Sequence, residues 1–280
     1  MFLVIGATAH FGRQAVEELV AAGAPVRALT RAPERAGLPP QAEVVQGDLT
    51  EPETLPAVLD GVEAAFLVLP YGMDAGPLLE AAGRAGVRRL VFLSSGAIVP
   101  GAARQPDVIA EYHRGVERAI EESGIEWTFL RLLFPAINSL TFAMQLQGGD
   151  VVRMPYAGAA FSAVHERDVA EAAARILTGG GHAGRVHDLT GPESLTQAQQ
   201  VGVLGAALGR PLTVEDLPPE PALEQMSRFM DPDFLAALFG LMARAADGPA
   251  PVNDNVERIT GHPARTYARW VADHRADFGG

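Results

Sequence analysis

Phe2-Leu-Val-Ile-Gly6-Ala-Thr8-Ala9-His10-Phe11-Gly12-Arg13 is the stretch that decides the fold. Phe2 to Ile5 read as a buried strand, and Gly6 follows directly. From Phe11 onward Ala15, Val16, Leu19 and Val20 recur on one helical face until Gly23 ends the run. The order is strand, glycine turn, helix. The first amides of a helix lack intrahelical partners and sit at the positive end of its dipole, so they form a site for a phosphate. Gly6 allows the tight turn, and Gly12 lets the helix approach the strand. The spacing is Gly-x-x-Ala-x-x-Gly, with Ala9 where a glycine would bring the backbone nearest a pyrophosphate; a methyl group fits there if φ stays negative. Glycines also close such turns for packing alone. The flanking strand and helix favour nucleotide binding, with Gly6, Thr8, His10, Phe11 and Gly12 as candidate contacts.

Working outward, Val26 to Arg31 reads as a second strand ending in a basic residue. In dinucleotide folds an acidic residue at this tip bonds the ribose 2′-hydroxyl, whereas arginine accommodates a 2′-phosphate. Arg31 therefore points to NADP rather than NAD; Arg13 could join it, and both could equally be solvated surface charges. Ala42 to Leu49 gives a third strand with a turn, and Thr50 is expected to cap a helix carrying Glu51 and Glu53 in its first turn. A fourth strand runs from Ala64 to Pro70, a short helix from Pro77 to Arg84, and a fifth strand from Arg89 to Ser95. This is the pattern of a doubly wound parallel α/β sheet, whose ligands bind beyond the carboxyl ends of the strands. Those ends carry Gly6, Arg31, Asp48 and Leu49, Leu69 and Pro70, and Ser94 and Ser95.

Composition narrows the chemistry. The 280 residues suffice for one large domain or a domain with a smaller appendage. No run of eighteen apolar residues occurs and no export signal precedes the first strand, so a soluble, cytoplasmic protein is expected. Cysteine is absent, which removes disulfides and thiolate catalysis. A net charge of −12 argues against nucleic acid as a partner. The scattered histidines form no metal-ligand spacing, so no metal is expected. All 22 basic residues are arginine, which excludes every mechanism that needs a lysine, including a Tyr-x-x-x-Lys pair.

Gly-Ala-Thr-Ala-His-Phe-Gly-Arg at 6–13, Leu-Thr-Arg at 29–31, Gly-Asp-Leu at 47–49, Phe-Leu-Ser-Ser-Gly at 92–96 and Trp127 to Arg131 resemble the NmrA-like, atypical short-chain dehydrogenase/reductase family. Glu166 to Ala170, Asp188 to Glu193 and Thr260 to Thr266 extend the resemblance over almost the whole chain. It implies a Rossmann core binding NADP(H), over residues 1–133, and a smaller mixed α/β region, 134–280, that covers the substrate and returns a strand to the sheet at 184–191. It also implies that Phe134 and Pro135, ending a sixth strand, lie over the nicotinamide. The family contains both quinone reductases and redox-sensing regulators.

Where ordinary short-chain dehydrogenases carry Tyr-x-x-x-Lys, this chain has Tyr112-His-Arg-Gly-Val116. Tyr112 falls in an apolar stripe with Ile109, Val116 and Ile120, which suits core packing. His113 and Glu117 lie one turn apart and could pair, near the nicotinamide by resemblance or as a surface pair. Arg131 reads as structural. Ser95, Tyr112 and His113 are the candidates to hydrogen-bond a substrate carbonyl.

Beyond Phe134, the residues Phe142, Met144, Met154, Tyr156 and Phe161 suggest an apolar wall or plain core. Thr196 should cap a helix to Leu208, Leu212 to Leu217 form a strand facing the pocket, and Leu223 to Ala245 one helix too apolar for an exposed element, either a substrate lid, a partner-facing surface or core. The expectation is an NADPH-dependent oxidoreductase that reduces a quinone, ketone or enone of an apolar, aromatic small molecule. A catalytically silent NADP(H)-binding regulator is the second reading and an isomerase or dehydratase the third; a homodimer stays open.

Overall fold

The computed structural model describes residues 1–279. β1 (Phe2–Ile5) divides its side chains between two cores, Leu3 and Ile5 facing one and Val4 the other. That is the behaviour of a strand buried on both faces, and it explains why the segment is apolar without alternation. Around it stand β2 (Val26–Thr30), β3 (Glu43–Gln46), β4 (Ala64–Leu67), β5 (Arg89–Ser95), β6 (Glu126–Leu132) and β9 (Arg185–Asp188), in the order β3-β2-β1-β4-β5-β6-β9, every neighbour parallel. The order reverses at β1, so a crevice opens there at the carboxyl edge.

α1 (His10–Ala21) and α6 (Glu166–Thr178) cover one face, burying Ala15, Val16, Leu19, Val169, Ala173 and Ile176. α2 (Leu55–Leu59), α3 (Gly76–Ala85) and α4 (Val108–Glu122) cover the other with Leu55, Leu79, Val116 and Ile120. The remaining elements are α5 (Thr141–Leu146), β7 (Val151–Pro155), β8 (Ala160–Phe161), β10 (Leu195–Thr196), α7 (Gln197–Leu208), β11 (Thr213–Leu217), α8 (Pro219–Met226), α9 (Pro232–Ala245), α10 (Asn255–Thr260) and α11 (Tyr267–Asp273). β7 pairs with β11 and β8 with β10, and α11 closes a third core with Tyr267 and Trp270 against Phe142, Val152 and Leu204. β9 pairs with β6 at the edge of the main sheet, and Thr196 with Gln199 forms a complete capping box at the start of α7. No helix among the described residues is long and apolar enough to cross a membrane.

Four expectations need correction. Thr50 does not cap a helix: Asp48 accepts from its amide at 2.9 Å, and a 3₁₀ turn at Pro52–Thr54 leads into α2. β6 stops at Leu132, because Phe134 takes a φ of 50°, outside any strand geometry. The expected helix from Leu223 to Ala245 is two helices; Pro232 occupies the first turn of α9 and Asp231 caps it through the amide of Phe234. β11 pairs along β7, and none of its residues lines the cleft of ≈ 880 Å³ beside Gly96.

Candidate active site

All seven strands of the main sheet run the same way, so their carboxyl ends form one edge. Gly6, Thr8, His10, Phe11 and Gly12 gather at the β1–α1 turn, Arg31 follows β2, Asp48 and Leu49 follow β3, Leu69 and Pro70 follow β4, Ser94 and Ser95 end β5, and Phe134 and Pro135 follow β6. Gly6 has a φ of 73°, and a Cβ there would lie 2.6 Å from the carbonyl oxygen of Val68. A Cβ on Gly12 would collide with the carbonyl oxygen of Gly6. Ala9 keeps a φ of −81°, so its methyl group is accommodated. No side chain caps α1 and no acidic residue stands in its first turn, which leaves those amides open to an anion.

Arg31 is exposed at the tip of β2, while Arg13 is tied down, donating to the carbonyls of Gly37 at 2.6 Å and Ala36 at 2.7 Å. Asp48 Oδ1 accepts from the amide and hydroxyl of Thr50 at 2.9 and 2.8 Å; these bonds first, and the Arg31 charge after them, hold its carboxyl below the usual range.

The proton-donor candidates are arranged differently from the sequence expectation. The Tyr112 hydroxyl donates to Pro70 O at 2.8 Å and also lies 3.2 Å from Met73 O, and burial pushes its pKa up. Its ring meets Tyr71 edge-on, in keeping with the packing role. Ser95 Oγ accepts from the amide of Ala97 at 3.1 Å and keeps its own proton to donate. His113 does not pair with Glu117. Its Nδ1 lies 2.8 Å from the carbonyl oxygen of Ile109, which can only accept, so Nδ1 carries the proton and Nε2 the lone pair in the neutral ring. Burial lowers its pKa more than the Ile109 bond and the nearby Glu117 charge raise it, which favours the neutral form.

Glu117 is wholly buried and binds elsewhere. Arg131 donates to its two oxygens at 2.9 and 2.6 Å, and Ser94 Oγ donates to Oε1 at 2.7 Å. A buried carboxylate needs a full counter-charge, and a guanidinium from the adjacent strand supplies it with better geometry than a neutral imidazole one turn away. Ser94 thus turns its hydroxyl inward, and Arg131 is held against Glu117.

Beside Ser95 opens a cleft of ≈ 880 Å³, walled by Gly96 to Pro100, Leu133, Phe161, Leu189 and Leu241, with Arg131, Ser162, Thr190, Arg244 and Asn253 among its polar groups. Phe134 stacks on Phe161 at 4.0 Å. Of the expected apolar wall only Phe161 lines this cleft; Phe142 and Met154 are core, Tyr156 packs on Phe239, and Met144 is exposed. The loop at 247–253 was missed, although Asp-Gly-Pro-Ala-Pro announced a break after α9.

Residues 6–179 match the NAD(P)H-binding family. The chain belongs to that family, in its NmrA-like, atypical short-chain dehydrogenase/reductase branch. Among relatives of this NAD(P)H-binding protein, the (4-alkanoyl-5-oxo-2,5-dihydrofuran-3-yl)methyl phosphate reductase of Streptomyces griseus subsp. griseus is 38% identical over 99% of both chains. The NAD(P)H azoreductase of Xenophilus azovorans is 35% identical over 100% of this chain and 99% of its own. The structure of an NADPH-dependent quinone oxidoreductase from Escherichia coli superposes with a TM-score of 0.80 at 25% identity, covering 98% of this chain and 99% of that one.

Proposed function

We propose that this protein is an NADPH-dependent reductase whose acceptor is a quinone, ketone or enone of an apolar, aromatic small molecule. The observation that carries the reading is the juxtaposition at one sheet edge of an uncapped, glycine-cradled helix N-terminus and a largely apolar cleft. The relatives that reduce a butenolide phosphate, azo compounds and quinones support the same class.

The residues present fit a dinucleotide. Collision-free approach at Gly12 and the open amides of α1 suit a pyrophosphate, with Thr8, His10 and Phe11 around it. Arg31 suits a 2′-phosphate, Asp48 and Leu49 an adenine edge and face, and Leu69, Pro70, Phe134 and Pro135 the nicotinamide end. When bound, NADPH supplies the hydride. The chain's own part is to orient the acceptor, to exclude water with Phe134, Phe161 and Leu241, and to hydrogen-bond the oxygen that gains charge. Of the three original candidates Ser95 alone keeps a free donor, since Tyr112 is bonded to backbone and His113 presents an acceptor nitrogen. Residues 1–133 with the strand at 185–188 carry the cofactor, and the rest of the C-terminal half shapes the acceptor site. The proposed setting is the cytoplasm, with a small molecule rather than nucleic acid as partner, and light scattering distinguishes monomer from homodimer.

NADPH consumption across a panel of quinones, aromatic ketones and enones tests the reading. Acceptor-dependent loss within one class is the expected result. Tight NADPH binding with no acceptor consumed would favour a regulator.

A further inference from the structure

Arg131 stands in β6 between Ser94 of β5 and Asp188 of β9. Nε and Nη2 fork onto Glu117, and the residue is 8% exposed. Such a bidentate pair fixes the plane of a guanidinium. The third nitrogen, Nη1, has no acceptor within the protein among the described residues. The only buried side-chain polar atom without a partner there is Nε of Arg27, so Arg131 Nη1 is reached from open space. The open space that Arg131 borders is the cleft beside Gly96 and a smaller hollow that shares Ile98, Val99, Pro100 and Asp188 with it. A buried cation, locked by Glu117, therefore keeps its one free donor group beside these two hollows, the larger of which is mostly apolar.

We propose that Arg131 Nη1 donates a hydrogen bond to the carbonyl oxygen of the acceptor and stabilises the negative charge that gathers there during reduction. Arg131 is then a catalytic residue and Glu117 its positioning residue. The inference rests on the reductase reading above. In a conjugated carbonyl the hydride from NADPH forms a new bond, a π pair moves onto the oxygen, and a proton from water completes the enol or hydroquinone while NADP⁺ leaves. A guanidinium keeps its protons, so it stabilises the oxyanion without transferring one. This accounts for a reductase that has no Tyr-Lys pair.

The test uses full-length wild type, Arg131→Lys, which keeps a cation beside Glu117, and the double variant Arg131→Gln/Glu117→Gln, which leaves no buried charge unpaired. With 1,4-naphthoquinone both variants should lose roughly 100-fold in turnover, mostly in kcat. NADPH affinity, read by fluorescence titration, should change by less than about twofold. Independently of turnover, the infrared carbonyl stretch of carbon-13-labelled naphthoquinone bound to cofactor-free wild type should be shifted down, and the shift should vanish in both variants. Unchanged turnover in Arg131→Lys, or an unshifted carbonyl in wild type, overturns the proposal. A shifted carbonyl with no NADPH consumption by wild type contradicts the reductase reading instead and leaves the hydrogen bond standing.

Discussion

Arg31 follows directly on β2, is exposed, and helps hold the neighbouring Asp48 carboxyl low behind the Thr50 hydrogen bonds. If it meets a 2′-phosphate, Arg31→Asp should weaken NADPH roughly tenfold or more, as expected for losing a charge-assisted bond, and NADH far less. Parallel fluorescence titrations decide it; equal losses would remove Arg31 from the site. Residues whose role is set by their neighbours in sequence were legible in advance. Gly6 and Gly12 follow from the spacing of a turn, and both would clash if they carried a Cβ. Glu117 was misassigned because an i,i+4 neighbour is visible in sequence, whereas the guanidinium that reaches it comes from another element. The burial that makes that pairing necessary cannot be read from the residue alone.

At the scale of elements, α9 lays Leu241, Arg244 and Ala245 along the cleft and packs Leu235 and Phe239 inward. It is therefore both core and cleft wall, where the sequence left a lid, a partner-facing surface or core open. Ala245→Trp should raise KM for a bicyclic quinone by roughly tenfold, the cost of about 1.4 kcal/mol of lost fit, while NADPH affinity stays within error. Steady-state kinetics with a small and a large quinone would check this; equal changes for both would mean that α9 does not bound the acceptor. The break before α9 was written in Asp231-Pro232, a cap followed by a first-turn proline, but the apolar run around it masked that signal. Phe229, 86% exposed between α8 and α9, shows that part of the run was never core.

For the whole molecule, the parallel sheet was legible because strands buried on both faces declare themselves as short apolar runs separated by helical spacing. The C-terminal half was less so, because β7–β11 and β8–β10 are short pairs between distant segments with half-exposed faces. One part of its attachment is pH-dependent. His274 follows α11 and lies 2.6 Å from Glu166 Oε1 on α6 and 2.7 Å from Asp277 Oδ2, so it serves both carboxylates only as an imidazolium. The Glu166 bond raises its pKa above the ordinary 6.5, against burial, with Asp277 adding to the rise. A raised folded pKa means that this contribution is complete below about pH 6.5 and is lost as pH climbs through the folded value. Thermal unfolding of wild type and His274→Gln should accordingly differ most in mild acid and converge in alkali; a gap that widens with pH would contradict the assignment. The central claim, hydride transfer to a conjugated carbonyl, is tested most directly by following NADPH and acceptor together in one reaction of the purified protein with 1,4-naphthoquinone under argon. Equimolar loss of NADPH and formation of hydroquinone, dependent on the protein, is the predicted result. Saturable NADPH binding with no hydroquinone formed from this or any quinone or enone acceptor would contradict it.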